Sequence, residues 1–239
     1  MYSDRAAVVI PVYNHESRVA EVIQKAMCLN LPVYVVDDGS TDGTYERIKD
    51  LPGITILRHD MNLGKGAALM TGFAAAAYTC QWAISIDADG QHNPEDAGNL
   101  FNVVKNGTRP IVVGCRQGMG QRHVPLASRF GRGFSNFWVW VSGGPVLKDT
   151  QSGFRLYPLP EVLDIPVVAR RFQFEVEVLV RARWRGMSVL EAPVDVVYAP
   201  GKERISHYRG FVDFFRNAAT FSRLIMQRWF ILPFVRLRG

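Results

Sequence analysis

Trp82-Ala83-Ile84-Ser85-Ile86-Asp87-Ala88-Asp89-Gly90-Gln91-His92 is the stretch on which the reading of this chain turns. Trp82, Ile84 and Ile86 recur with the two-residue period of a β-strand, and two carboxylates one residue apart follow directly. At a strand end that period breaks, so Asp87 and Asp89 can converge on one hard cation. A divalent ion held in this way keeps positions open for substrate phosphates, as Mg²⁺ does. The same residues also fit a plain cap, because Asn93-Pro94-Glu95-Asp96 opens a helix just beyond them. The rest of the chain decides between the two.

Upstream and downstream, strand and helix signals alternate. Strand-like runs fall at Ala6–Pro11, Val33–Asp37, Ile54–Leu57, Trp82–Asp87 and Pro110–Gly114, with helical patterns near 16–29, 42–50, 65–78 and 94–106. Thr41 or Asp42 can cap the second helix and Asn93 the fourth. This order predicts an α/β fold: a mixed, mostly parallel sheet flanked by helices on both faces. In such sheets ligands bind beyond the carboxyl ends of the strands. Pro11-Val12-Tyr13-Asn14, Asp37-Asp38-Gly39-Ser40, Asp87-Ala88-Asp89 and Arg116 all fall at those ends, so four polar clusters share one expected crevice.

With 239 residues, 48% of them hydrophobic, the chain can bury one sizeable core with an appendage. Cys28, Cys80 and Cys115 are scattered, odd in number and without metal spacing, which favours a reducing compartment over a disulfide framework. Val8-Val9-Ile10-Pro11 is strand-length, so no signal peptide is expected. Of two uncharged runs, Gly66 to Ile86 reads as a helix followed by a buried strand. Gly133 to Leu147 is too short for a comfortable membrane span and is broken by Gly143-Gly144-Pro145.

The net charge of +6 is unevenly placed. Residues 201–239 hold eight Lys or Arg against Glu203 and Asp213, which accounts for the whole excess, while residues 1–200 carry 20 basic and 20 acidic groups. Arg122 to Arg132 reads as a basic loop, Phe134–Val141 as an aromatic helix, Asp149–Arg155 as a turn into a short strand, Phe172–Arg183 as a helix and Ser188–Val197 as a strand. From Gly210 to Leu232, Phe211, Phe214, Phe215, Ala218, Phe221, Ile225, Trp229 and Leu232 recur at helical spacing. Asp213, Arg216, Asn217, Thr220, Arg223 and Gln227 take the other side. An apolar face carrying Trp and Phe, edged by arginines, suits a membrane interface; a helix docked on the chain's own core gives the same pattern.

Five motifs stand in register: Pro11-Val12-Tyr13-Asn14, Val36-Asp37-Asp38-Gly39-Ser40-Thr41-Asp42-Gly43-Thr44, Asn62-Leu63-Gly64-Lys65-Gly66, Asp87-Ala88-Asp89-Gly90-Gln91 and Ser152-Gly153-Phe154-Arg155. Together, over about Ala6 to His207, they resemble the family-2 glycosyltransferases of GT-A fold, especially the dolichol-phosphate-mannose-synthase-like branch. The resemblance implies a catalytic domain over 1–207, a basic amphipathic helical segment over 208–239, and inverting, Mg²⁺- or Mn²⁺-dependent transfer of a hexose from a nucleoside diphosphate sugar. It implies polyprenyl phosphate as the acceptor, at the cytoplasmic face of the plasma membrane in cell-envelope biogenesis. A hydroxyl on a lipid or glycan is the alternative acceptor.

The resemblance also distributes roles. Pro11, Tyr13, Asn14, Asp37, Asp38, Lys65, Asp87, Ala88 and Asp89 surround the donor, with Asp38, or Asp37, accepting from the nucleobase. Asp87, Asp89 and Gln91 form the metal set. His15 stands where relatives carry Glu, and Ser206-His207 where they carry Ser-Lys. From the residues themselves, Lys65 between Gly64 and Gly66 at a helix start favours phosphate, although a cap-and-turn role fits too. His92 is expected to support the site, since Mg²⁺ and Mn²⁺ prefer oxygen ligands.

An ionised lipid phosphate needs cations rather than a base, and Arg116, Arg129, Arg132, Lys202, Arg204 and His207 are the candidates. A hydroxyl acceptor needs a general base, for which Asp149 is the best candidate; with Asp89 and Arg116 it completes the expected catalytic set. Asp149 can equally hold the Ser152-Gly153 turn. Glu175 and Glu177, two apart on a helix, face different ways, so one can reach the site. A nucleic-acid-binding module is disfavoured, because the excess charge lies on a helix with an apolar face and no RNA- or DNA-binding signature is present.

Overall fold

The computed structural model describes residues 5–117, 126–196 and 210–230, with the backbone alone for 126–130 and 210–214. Strand β1 (Ala6–Val12) is buried at all seven of its positions, which a strand achieves only when both faces are covered. It pairs in parallel with β2 (Val33–Asp37) on one side and β4 (Trp82–Ser85) on the other, and β3 (Ile54–Arg58) extends β2 in parallel. Beyond β4 the direction reverses: β6 (Arg155–Pro158) lies antiparallel to both β4 and β5 (Ile111–Arg116), and β7 (Val189–Val194) runs parallel to β5. The seven-stranded order is β3-β2-β1-β4-β6-β5-β7. This is the expected mixed, mostly parallel sheet.

The two-residue period sorts side chains onto two faces. Val8, Ile10, Val35, Ile84 and Leu156 meet Val19, Val22 and Ile23 of α1 (Val19–Met27), Ile48 of α2 (Thr44–Ile48) and Leu100 of α4 (Ala97–Asn102). Ala7, Val9, Val36, Ala83 and Tyr157 meet Ala68, Leu69 and Phe73 of α3 (Lys65–Ala76) and Phe174, Val178 and Leu179 of α6 (Phe174–Trp184). Gly72 sits where an added Cβ would lie 3.2 Å from Val36, so its bareness lets α3 approach the sheet. Asn93 caps the 3-10 turn Pro94–Asp96, its side chain accepting from the Glu95 N–H.

Two expectations are corrected. The segment read as a basic loop through Arg132 is helical from Leu126, so α5 (Leu126–Val141) is twice the predicted aromatic helix. Gly131 and Gly133 are weak helix formers, but the helix runs through both, with Leu, Ala and Arg around them favouring it. The helix α7 (Gly210–Phe230) forms as expected, but its inward stripe is not the expected apolar one.

Phe221 and Leu224 pack against Val139 of α5 and Val176 and Val180 of α6, with Trp138 stacked 6.4 Å from Phe221. Thr220 and Arg223, expected outside, turn inward. The Arg223 Nη2 donates to Glu177 at 2.7 Å, Arg181 Nη2 donates to Gln227 Oε1 at 3.0 Å, and Arg228 Nη1 donates to the Val141 carbonyl at 2.6 Å. A buried carboxylate, Glu177, thus pulls the arginine edge down onto the domain. The aromatics Phe215, Trp229 and Phe230 and the thioether of Met226 are left exposed, as are Phe137 and Trp140 of α5. No described helix is long and apolar enough to cross a membrane.

Candidate active site

The loops that leave the carboxyl ends of β1 and β2 are stitched to each other. Asn14, in the left-handed region at φ 52°, accepts the Thr41 N–H at 2.8 Å through its Oδ1, and its own N–H donates to Ser40 Oγ at 3.0 Å. Asn tolerates that conformation better than other side-chain-bearing residues. The His15 N–H donates to Thr44 Oγ1 at 2.8 Å. Pro11 is buried at the end of β1, while Tyr13 and Asn14 are half-buried at the crevice.

Asp37 and Asp38 lie beneath this crevice as pegs. Asp37 accepts the Ser40 N–H at 2.9 Å and faces Arg58 Nε at 3.2 Å. Asp38, only 2% exposed, accepts from His59 Nδ1 at 2.7 Å, the Leu63 N–H at 2.9 Å and the Gly64 N–H at 2.7 Å. The His59 Nε2 lies 3.0 Å from Thr71 Oγ1, which ties the same network to α3. Both oxygens of Asp38 are therefore engaged internally, a geometry that differs from the expected open nucleobase acceptor. Sequence reasoning did not single out His59; one histidine after a strand carries no spacing signal. Gly39, at φ +71°, lies where a Cβ would come within 2.5 Å of the Met61 backbone, so the two loops touch.

Asp38 fixes Leu63 and Gly64, and the next residue, Lys65, starts α3 as expected. Its ammonium is buried between two carboxylates: Asp87 Oδ1 at 2.6 Å and Glu175 Oε1, which it also contacts closely. Burial opposes its charge, but these two anions outweigh burial and raise the lysine above its ordinary value. Burial likewise disfavours the charged Asp87, yet the Lys65 ammonium holds that carboxyl below the usual carboxylate range. Of the two glutamates weighed on α6, Glu175 faces the crevice and Glu177 faces α7, as their spacing requires.

Gly153 closes over this triad, because a Cβ there would collide with Asp87 and stand 2.7 Å from Lys65 Nζ. Ser85 Oγ holds the Gly153 carbonyl at 2.6 Å. Arg155, fully buried, then fixes the whole turn. It donates to the carbonyls of Ser152 at 2.6 Å, Glu175 at 2.7 Å and Thr150 at 2.9 Å. The Ser152–Arg155 motif is thereby explained as the element that seats a bare backbone against Asp87.

Asp89 accepts the Gln91 N–H at 3.0 Å, Ala88 is buried, and Gly90 turns the loop at φ +73°. His92 is buried, stacked 5.3 Å from Phe154, and its Nδ1 has no hydrogen-bond partner; burial depresses it to about 4, so it is neutral. Asp87, Asp89 and Gln91 supply hard oxygen donors within five residues, a set whose chemistry suits Mg²⁺ or Mn²⁺ rather than a softer ion. Among the described residues no three His, Cys, Asp or Glu side chains are grouped to hold a metal by themselves. A two-carboxylate set would leave the remaining positions to water and phosphate.

On the far side, Arg116 at the end of β5 meets Asp149. Its Nε donates to Oδ2 at 2.7 Å and its Nη2 to Oδ1 at 2.9 Å, and Asp149 is completely buried. Glu191 of β7 fixes the turn by accepting the N–H groups of Lys148 and Asp149 at 2.7 and 2.9 Å. This bidentate pairing speaks against Asp149 as a general base, since both oxygens already hold donors. Arg132 is half-buried on α5. The Arg129 side chain, and Lys202, Arg204 and His207 entirely, lie outside the described residues.

A GT-A sheet with an aspartate pair at the end of β4 and a basic helix start beside it defines a glycosyltransferase. The chain belongs to glycosyl transferase family 2, whose model matches residues 7–144. It is 28% identical over 80% of its length to the UDP-N-acetylglucosamine--dolichyl-phosphate N-acetylglucosaminyltransferase of Methanococcus voltae, covering 85% of that protein. It is also 28% identical, over 80% of its length, to the polyprenol monophosphomannose synthase of Mycolicibacterium smegmatis, covering 77% of that protein. Among solved structures, mannosyl-3-phosphoglycerate synthase from Rubrobacter xylanophilus shares the fold, with a TM-score of 0.65 over 93% of this chain and 73% of that one at 16% identity.

Proposed function

We propose that this enzyme transfers a hexose, with inversion, from a UDP- or GDP-sugar to polyprenyl phosphate. The observation that carries the choice of acceptor is the Arg116–Asp149 pair. The best-placed carboxylate for deprotonating a hydroxyl has both oxygens on a guanidinium, and a lipid phosphate, already ionised at neutral pH, needs no base. The names of the two relatives, which act on dolichyl phosphate and polyprenol, support the same acceptor class.

In this reading the loops of β1 and β2 receive the nucleoside, with Tyr13 and Asn14 at the crevice, Pro11 buried beneath them, and Asp37 and Asp38 shaping the loops below. Asp87, Asp89 and Gln91 would hold Mg²⁺ or Mn²⁺, which supplies charge neutralisation for the departing diphosphate. A phosphate oxygen of the acceptor forms the bond to the sugar C1 from the face opposite the leaving group. The bond from C1 to the β-phosphate oxygen breaks, and its electron pair leaves with the nucleoside diphosphate. Arg116 and the arginines of α5 orient the incoming phosphate, and no proton transfer is required.

The chain divides in this reading at about residue 207, and residues 208–239 turn toward the cytoplasmic leaflet. Support comes from α5 and α7 together. Phe137, Trp140, Phe215, Met226, Trp229 and Phe230 are exposed, and residues 201–239 carry the whole net positive charge. Exposed aromatic side chains suit a bilayer boundary, and Arg216, unlike the inward-turned Arg223 and Arg228, is exposed on the same helix.

Incubation of the enzyme with labelled nucleotide sugars, Mn²⁺ and polyprenyl-phosphate vesicles tests the proposal. A labile, phosphate-linked lipid hexose supports it. A base-stable glycoside formed on a hydroxyl acceptor, with nothing on polyprenyl phosphate, replaces it by the alternative.

A further inference from the structure

We propose that Lys65 is the built-in counter-ion of the donor site: it occupies Asp87 until a divalent cation and nucleotide arrive, then moves to the pyrophosphate while Glu175 keeps it within reach. The inference rests on the assignment of Asp87 to the donor site and adds two things to it: a competition and a positioning residue.

Three observations lead here. The first is sharing: one ammonium contacts two carboxylates, Asp87 and Glu175, so it can leave the first and still keep the second. The second is crowding. Gly153 lies against both oxygens of Asp87 and against Lys65 Nζ, and its backbone is fixed by Ser85 and, through Ser152, by Arg155. A dication on Asp87 and an ammonium 2.6 Å from the same carboxylate repel each other, and the surrounding backbone cannot open to separate them.

The third observation is which part can move. The Lys65 backbone is pinned, because Leu63 and Gly64 donate to buried Asp38 and the Ala67 N–H donates to the Arg170 carbonyl at 3.0 Å. The four-carbon side chain is the adjustable element. It lies beside the Phe172 ring, with Nζ 6.0 Å from the centroid, and reaches Glu175 in the first turn of α6. Glu175 is thus a positioning residue: when Asp87 is taken by a dication, the ammonium keeps a partner at the mouth of the α3 N-terminus, where phosphate is favoured. A buried structural salt bridge would give the same static contacts, but the competition separates the two accounts.

The test is direct Mn²⁺ binding, read by electron paramagnetic resonance of free Mn²⁺ and by calorimetry. It is run on the full chain, with and without UDP or GDP, in wild type, K65M, E175Q and D87N. Loss of the competing ammonium in K65M is expected to tighten nucleotide-free Mn²⁺ binding by about tenfold, and to weaken nucleoside diphosphate binding by a similar factor. E175Q moves the other way without nucleotide, because Lys65 then rests wholly on Asp87. Its isosteric side chain keeps the test decisive where K65M does not fold. Wild-type nucleotide-free affinity for Mn²⁺ in E175Q and in any folded K65M, with normal Mn²⁺-nucleotide binding in wild type, overturns this inference and leaves the donor-site assignment standing. Equal Mn²⁺-nucleotide binding by D87N and wild type overturns that assignment and the inference with it.

Discussion

Arg116 lies edge-on to the Asp149 carboxylate, its Nε and Nη2 2.7 and 2.9 Å from the two oxygens, with Asp149 sealed from solvent. Removing one member of such a pair leaves an uncompensated buried charge, at a cost of about 3–5 kcal/mol. R116M and D149N are each expected to lower stability by that order. The double variant should lose clearly less than the sum, because the remaining charge is removed as well. Urea denaturation of the four proteins gives the coupling. Additive losses would mean that the two side chains do not depend on each other.

Asp38 makes a sharper case for separating structure from binding. In D38N one oxygen becomes an NH₂ group, which must face either the Gly64 N–H or the donors His59 and Leu63. An unsatisfied or opposed buried donor costs about 1–3 kcal/mol. Thermal and urea unfolding should both shift, and nucleotide affinity should fall with them. An unchanged stability with weakened nucleotide binding would make Asp38 a direct nucleobase contact instead.

The two sides of α7 predict opposite outcomes. F221A removes a ring packed on Trp138 and Val139, a type of change that costs about 3–5 kcal/mol, and should raise hydrogen exchange throughout α7. W229A with F230A changes exposed side chains, so stability should stay within about 0.5 kcal/mol. Co-sedimentation with anionic vesicles should drop sharply in that double variant. Retained sedimentation would remove the membrane role from this face.

Arg109 and Glu161 supply a pH signature away from the site. The Arg109 Nε and Nη2 donate to the two Glu161 oxygens at 2.6 and 2.9 Å, and these hydrogen bonds hold the carboxyl below its ordinary value. A depressed carboxylate contributes stability above its unfolded value and loses it as the pH falls through its folded one. Both groups are partly exposed, so the effect is modest. Between about pH 5 and 3, wild type should lose a few tenths of a kcal/mol more than R109M does. Parallel pH curves for the two proteins would contradict the pairing.

The parallel half of the fold was legible because β1, β2 and β4 are buried on both faces and read as apolar runs between helical patterns. At β6 the short strand after the Asp149–Arg155 turn was legible too, but its antiparallel direction was not, since Arg155-Leu156-Tyr157-Pro158 carries no signal of which strands it joins. The start of α5 was missed because Gly131 and Gly133 read as loop residues, while the helix runs through both. At the site, the residue types at the strand ends were readable. Their pairing was not: Glu175 is 110 positions from Lys65, and Asp149 is 33 from Arg116, separations at which sequence spacing says nothing about contact. The inward turn of Arg223 likewise depended on Glu177, a carboxylate on another helix.

Calorimetric titration of UDP and GDP into the enzyme with Mn²⁺ present, compared among wild type, D87N and D89N, tests the donor site most directly. Binding of at least one nucleoside diphosphate that needs the metal and weakens by about tenfold or more in both variants is the expected result. Metal-independent binding, or affinities unchanged in both variants, would contradict the placement of the donor pyrophosphate at the end of β4.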